Sequence, residues 1–145
     1  LTVGRGSGIN DERLKIKTEV VRRGLEVNKP KPGDGLDVIC KVGGYDHAGL
    51  AGMMLAGAAR HVPTMVDGVN ATAAALIAYG INPNCAKYLL CSHLSSDLSA
   101  KKMLEVLQLK PVVHAGMRLG EGTGASLAIS ILRSALDTYR ELIKE

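Results

Sequence analysis

The chain has 145 residues, 46% of them hydrophobic, and a mean hydropathy of +0.11, which suits one domain with a real core and excludes a disordered segment. A net charge of +4 with four Tyr and no Phe or Trp offers no basic–aromatic platform for nucleic acid, and no apolar run reaches transmembrane length. Cys40, Cys85 and Cys91 form an odd set without CxxC spacing, which reads as reduced thiols in a cytoplasmic protein, with Cys91 in the core.

The sequence opens at Leu1 rather than Met, inside the glycine-rich stretch Leu1-Thr2-Val3-Gly4-Arg5-Gly6-Ser7-Gly8. The expectation is a fragment, a processed product or one half of a split protein. Asn10 or Asp11 caps a predicted helix that runs to about Val27, with Leu14, Val21 and Leu25 on its buried side. Its basic residues Lys15, Lys17, Arg22 and Arg23 read as a solvated face. Lys29-Pro30-Lys31-Pro32-Gly33-Asp34-Gly35 then breaks regular structure. A short helix is predicted over 37–42. A second, over Ala48–Ala59, is lined by Gly49, Gly52, Ala56 and Gly57, small residues that permit close packing on a neighbour.

Three short apolar runs come next, each ending in polar or glycine-rich sequence. Val62–Val66 ends at Asp67-Gly68, Tyr88–Cys91 ends at Ser92-His93, and Val112-Val113 leads into the glycines of 120–124. Helices are predicted after each, over 71–77, 99–107 and from Ala125 on. The last carries Ala128, Ile129, Leu132, Ala135, Leu136 and Leu142 as an amphipathic stripe. Alternating strand and helix is the grammar of a parallel sheet. The expected fold is α/β, a Rossmann-like three-layer parallel sheet flanked by helices, with residues 1–145 an incomplete part of a larger domain. Ligands of such sheets bind beyond the carboxyl ends of the strands, so Asp67, Ser92–Ser96 and Arg118–Thr123 are expected on one rim.

Within Met117-Arg118-Leu119-Gly120-Glu121-Gly122-Thr123-Gly124-Ala125, one carboxylate sits among three glycines at a helix start. Free N–H groups and the positive dipole end there suit a phosphate. A carboxylate has the wrong charge for that task, so proton abstraction is the natural role of Glu121. Other readings of the acids stand beside this one: Glu121 as a first-turn acid favoured by the helix dipole, and Asp67 as a cap on the helix that comes after it. The histidines His47, His61, His93 and His114 lack paired ligand spacing, so no metal site is expected.

Taken together, Val3–Glu12, Lys41-Val42-Gly43-Gly44-Tyr45, Asp67-Gly68 with Thr72–Leu76, Ser92-His93-Leu94-Ser95 and Met117–Ala125 resemble the nicotinate-nucleotide:dimethylbenzimidazole phosphoribosyltransferase family of cobalamin lower-ligand synthesis. The resemblance implies that a benzimidazole nitrogen attacks C1′ of nicotinate mononucleotide, nicotinate leaves with inversion, and α-ribazole 5′-phosphate forms without metal or redox cofactor. It places the general base on Glu121, and an apolar slot around the acceptor would strengthen that base. It places Arg118 and Gly120, with Leu119 and Gly122 beside them, against the nucleotide, and Gly6, Asp67 and Ser95 along it. Lys17 matches a lysine facing the active site. A homodimer is implied, and fits the small-residue helix at 48–59.

The chain also departs from the family pattern. A Gly-Glu-Met-Gly-Ile-Gly-Asn-Thr-Thr stretch and the acceptor-binding part belong further upstream. Ser96-Asp97-Leu98-Ser99 replaces an acidic-Pro-Gly turn, and a Met-x-Thr-Phe segment is missing. Two alternatives therefore stay open: a non-catalytic nucleotide-binding or assembly module, and a homologue with a phenolic acceptor.

Overall fold

Asn10 and Asp34 start the first two helices by the same device. Asn10 Oδ1 accepts from the N–H of Arg13 at 2.9 Å, and Asp34 Oδ1 from that of Asp37 at 3.1 Å, so each satisfies a donor left free at a helix start. The computed structural model describes residues 3–6 and 8–144; Leu1, Thr2 and Ser7 of the glycine-rich stretch lie outside them. Helix α1 spans Asp11–Asn28, α2 Gly35–Val42 and α3 Tyr45–Ala59. Strand β1 (Thr64–Val66) leads to α4 (Val69–Ile81) and a short 3-10 turn over Pro83–Tyr88. Then come β2 (Leu89–His93), α5 (Ala100–Leu107), β3 (Pro111–Val113) and α6 (Thr123–Leu142).

The described strands form one parallel sheet in the order β1-β2-β3, with Val66 opposite Cys91 and His93 opposite Val113. Helices flank it, as expected of an α/β chain. The core is built mainly from small and branched residues because Phe and Trp are absent. Ala74, Ala75 and Ala78 of α4 meet Ala51 and Met54 of α3, Val66, Leu89 and Leu107. Small side chains let helices approach closely. A Cβ on Gly35 would overlap the Ile77 carbonyl and come within 2.9 Å of the Ile81 nitrogen, so α2 lies almost on the backbone of α4. Cys85 and Cys91 are buried, and desolvation pushes the Cys91 thiol up to about 11, in keeping with a core residue.

Two expectations need correction. Helix α1 buries no residue: Val21 and Leu25 remain 36% and 39% exposed, because α1 packs mainly along α2 and not onto the sheet. The stripe on α6 is covered only at its start, where Gly124 and Ala128 are buried, while Leu136 and Leu142 lie open. Geometry explains this: twenty helical residues run about 30 Å, whereas a three- to five-residue strand reaches only about 10–17 Å. The small-residue face of α3 is likewise divided. Gly57 packs against Val62 and Thr64 of its own chain, and Gly49 and Gly52 face open space.

Candidate active site

Because the strands are parallel, the segments that leave β1, β2 and β3 emerge at one edge of the sheet. Backbone bonds tie them together there: Leu94 N–H donates to Val113 O at 3.0 Å, and Ser96 N–H to Met117 O at 3.1 Å. Asp67, Ser92–Asp97 and the 114–122 loop therefore share one rim, as expected of the strand ends.

At the start of α6 the backbone turns through three successive left-handed residues, Gly120 (φ +80°), Glu121 (φ +52°) and Gly122 (φ +76°). Glycine adopts this region freely, but a side-chain-bearing residue there costs roughly 1–2 kcal/mol. Among the described residues, Lys29, His61 and Gln108 also have positive φ. Those three lie just past the ends of α1, α3 and α5, where a left-handed residue commonly terminates a helix. Glu121 instead precedes a helix, between two glycines, where a third glycine would have served the backbone better. Its side chain is exposed. The enclosing apolar slot expected around it is not formed by the described residues; the turn carries Glu121 outward at the strand-end rim. An apolar groove of about 420 Å³ between α5 and β3, lined by Leu94, Leu104, Pro111 and His114, does not include it.

The anchor of this turn is Asp67. Helix α6 begins after Gly122, which has no side chain to cap it. Asp67 Oδ1 accepts from Ala125 N–H at 2.9 Å, and Oδ2 from Gly122 N–H at 3.2 Å. Those are the two donors that a local capping box satisfies with two side chains; here one carboxylate from the end of β1 takes both. Asp67 does cap a helix, but α6 rather than the adjacent α4. Thr123 N–H is also engaged, by Gly120 O at 3.0 Å. Of the donors at this helix start, those of Gly122 and Ala125 are thus already taken by a protein carboxylate.

Below the turn lies His93, only 3% exposed. Its Nδ1 is 2.9 Å from Ser92 Oγ, which donates to Asp67 O at 3.2 Å. A Cβ on Gly124 would overlap the imidazole, with Cγ at 2.9 Å and Nδ1 and Cε1 nearer still. Read from the sequence, His93 is structural or reaches the rim; that it occupies the space left by Gly124 escapes such a reading. The signal lies in the third glycine of the motif, which comes too late in the chain to serve the loop.

A second cluster forms where the amino-terminal glycine loop meets the β2–α5 loop. Lys17 Nζ donates to Gly4 O at 2.8 Å and lies beside Gly6 (φ +60°). Asp97 presses against Gly4 and accepts from Ser99 N–H at 3.0 Å and Ser99 Oγ at 2.7 Å. Ser95, nearly buried, accepts from Asp97 N–H at 3.3 Å through its Oγ. Gly6, Lys17 and Ser95 are thus brought together, with Asp97 as an unforeseen centre. Gly122 and Asp67 are joined directly, and Arg118 and Leu119 lie exposed on the approach to the turn.

The Ser99 hydrogen bonds, reinforced by the Lys17 charge, hold the Asp97 carboxyl below its usual range. A depressed carboxyl stabilises the fold fully above the unfolded value of about 3.9, and that contribution is lost as pH falls through the folded value. The urea midpoint of the protein should therefore drop more steeply below about pH 4 than that of Asp97→Asn, and identical slopes would show that Asp97 carries no such linkage.

Strand-end loops converging on a glycine turn at a helix start are the arrangement in which parallel α/β proteins hold ligands along their strand ends. A family model described as phosphoribosyltransferase matches residues 1–145, and the chain belongs to that family. A nicotinate-nucleotide–dimethylbenzimidazole phosphoribosyltransferase of Clostridioides difficile strain 630 is 45% identical over 139 residues, 96% of this chain and 40% of the relative. One of the same name from Desulforamulus reducens is 48% identical over 139 residues, with the same 96% and 40% shares. Among solved structures, CobT from Thermus thermophilus superposes with a TM-score of 0.85 at 39% identity, over 92% of this chain and 40% of that one. The chain therefore spans about 40% of the length of these relatives. The resemblance carried jointly by the stretches from Val3–Glu12 to Met117–Ala125 is borne out at the level of the family.

Proposed function

We propose that this chain is the nucleotide-side, base-carrying portion of a cytoplasmic, homodimeric enzyme that transfers phosphoribose from nicotinate mononucleotide to 5,6-dimethylbenzimidazole or a related base. Glu121 takes the proton from one acceptor nitrogen while the other attacks C1′. The C1′–nitrogen bond to nicotinate breaks, and nicotinate departs with the bonding pair. Gly6, Ser95, Arg118, Leu119, Gly120 and Gly122 line the nucleotide, and Lys17 supplies a cation to its anionic groups. The acceptor and the polypeptide that makes up the rest of the relatives' length enclose Glu121.

The observation that carries this reading is the left-handed Glu121, held between two glycines at a helix start and at the strand ends. Backbone strain at a position where glycine would be cheaper points to a task for the side chain. The test has two arms. The complete enzyme, given nicotinate mononucleotide and dimethylbenzimidazole, should release nicotinate and α-ribazole 5′-phosphate in equal amounts. Calorimetry of the 145-residue chain alone should show no saturable nucleotide binding, with heat appearing once the remaining polypeptide is added. Saturable binding by the chain alone, with no product from the complete enzyme, would make this a binding module instead.

A further inference from the structure

We infer that Asp67 is a positioning residue that acts on Glu121 through the backbone and makes no contact with the nucleotide; the inference rests on the general-base reading above. Both carboxylate oxygens are already committed, one to Ala125 N–H at 2.9 Å and the other to Gly122 N–H at 3.2 Å. Gly122 directly follows Glu121, so the bond to its N–H fixes the peptide on the carboxyl side of the base. The bond to Ala125 fixes the first turn of α6 on which that peptide rests. A single turn hydrogen bond, Thr123 N–H to Gly120 O at 3.0 Å, closes over the left-handed residues, and two of the three are glycines with the widest conformational choice. A carboxylate delivered from the end of β1 supplies further restraint.

The strut is itself braced. Ser92 Oγ, buried on β2, donates to the Asp67 carbonyl at 3.2 Å, so two neighbouring strands hold the residue that holds the turn. The geometry also opposes a direct ligand role. A carboxylate facing a phosphate would repel it, and one acceptor site on each Asp67 oxygen is already given to a backbone N–H.

Asp67→Asn is the probe, because the amide keeps the shape and one acceptor oxygen but sets an N–H donor against one of the two N–H groups. In the complete enzyme, kcat should fall about tenfold or more, while the calorimetric Kd for nicotinate mononucleotide stays within about twofold. Amide exchange at Gly122 and Ala125 should rise, with the remainder of α6 unchanged. Adding Asp67→Asn to Glu121→Gln should lower turnover no further, since a misplaced base and an absent base are the same loss. A Kd weakened tenfold, or losses that multiply in the double variant, would overturn the inference and make Asp67 a nucleotide ligand. Unchanged exchange at both amides would overturn it on geometry alone. If Glu121→Gln by itself leaves turnover intact, the general-base reading falls, and the positioning role falls with it for that separate reason.

Discussion

Glu121→Gln in the complete enzyme should lower kcat by about 10²-fold or more and leave nicotinate mononucleotide affinity nearly unchanged. Glutamine has the length and polarity of glutamate but cannot accept the acceptor's proton at neutral pH. The loss is confined to the transition state, because only there does the attacking heterocycle develop positive charge that the carboxylate relieves. A hundredfold loss corresponds to about 2.7 kcal/mol, within the range expected of one positioned base. Glu121→Gly makes the companion test. It removes the side chain and also the cost of holding a non-glycine residue at φ +52°, which is roughly 1–2 kcal/mol before the extra unfolded-state entropy of glycine is set against it. The expected result is a protein as stable as wild type or slightly more so, and as slow as Glu121→Gln. Activity retained in both variants would remove the base from this turn.

The parts legible in the sequence are those governed by local rules. Periodicity places the six helices, and Asn10 announces the start of α1 by its capping chemistry. The alternation of apolar runs with helices implies the parallel sheet, and with it the shared rim of Asp67, Ser95 and the 118–122 loop. Long-range pairings are not legible. Nothing near Asp67 says that its oxygens are spent on amides 55 and 58 residues later. A capping residue is recognised by the helix just after it, and the helix just after Asp67 is α4, which has no side-chain cap. Nor can periodicity tell that the stripe on α6 outruns the strands, since helix length is visible in a sequence and sheet width is not. The same holds for α1, whose apolar residues keep the helical period but meet mainly α2 in this chain. Asp97 stands out in the sequence only as a departure from the family pattern. Its partners Gly4 and Lys17 lie near the amino-terminal end of the chain, so its place at the centre of a cluster emerges only in three dimensions.

Gly124→Ala should destabilise the protein and slow the enzyme, against the ordinary preference of helices. Alanine in place of glycine inside a helix normally stabilises by about 0.8–1 kcal/mol. At Gly124 the new methyl has nowhere to go: the His93 imidazole already fills the space, with its Cγ 2.9 Å from the Cβ position. His93 has little room to retreat, being 3% exposed and bonded to Ser92 through Nδ1. Overpacking of this kind typically costs about 1–3 kcal/mol, enough to reverse the helix gain. The least costly relief is for the first turn of α6 to lift from β2, and that motion carries Gly122 and Ala125 away from Asp67 and Glu121 away from its station. A displacement of about 1 Å in a catalytic group is capable of costing about 10²-fold in rate. Denaturant midpoints should therefore fall, and kcat should fall with them. His93→Ala removes the obstructing ring, so the double variant should recover part of the stability that the two single losses predict together. A raised midpoint for Gly124→Ala alone would mean that the helix start and β2 are not in contact there, and the brace connecting the sheet to the Glu121 turn would have to be sought elsewhere.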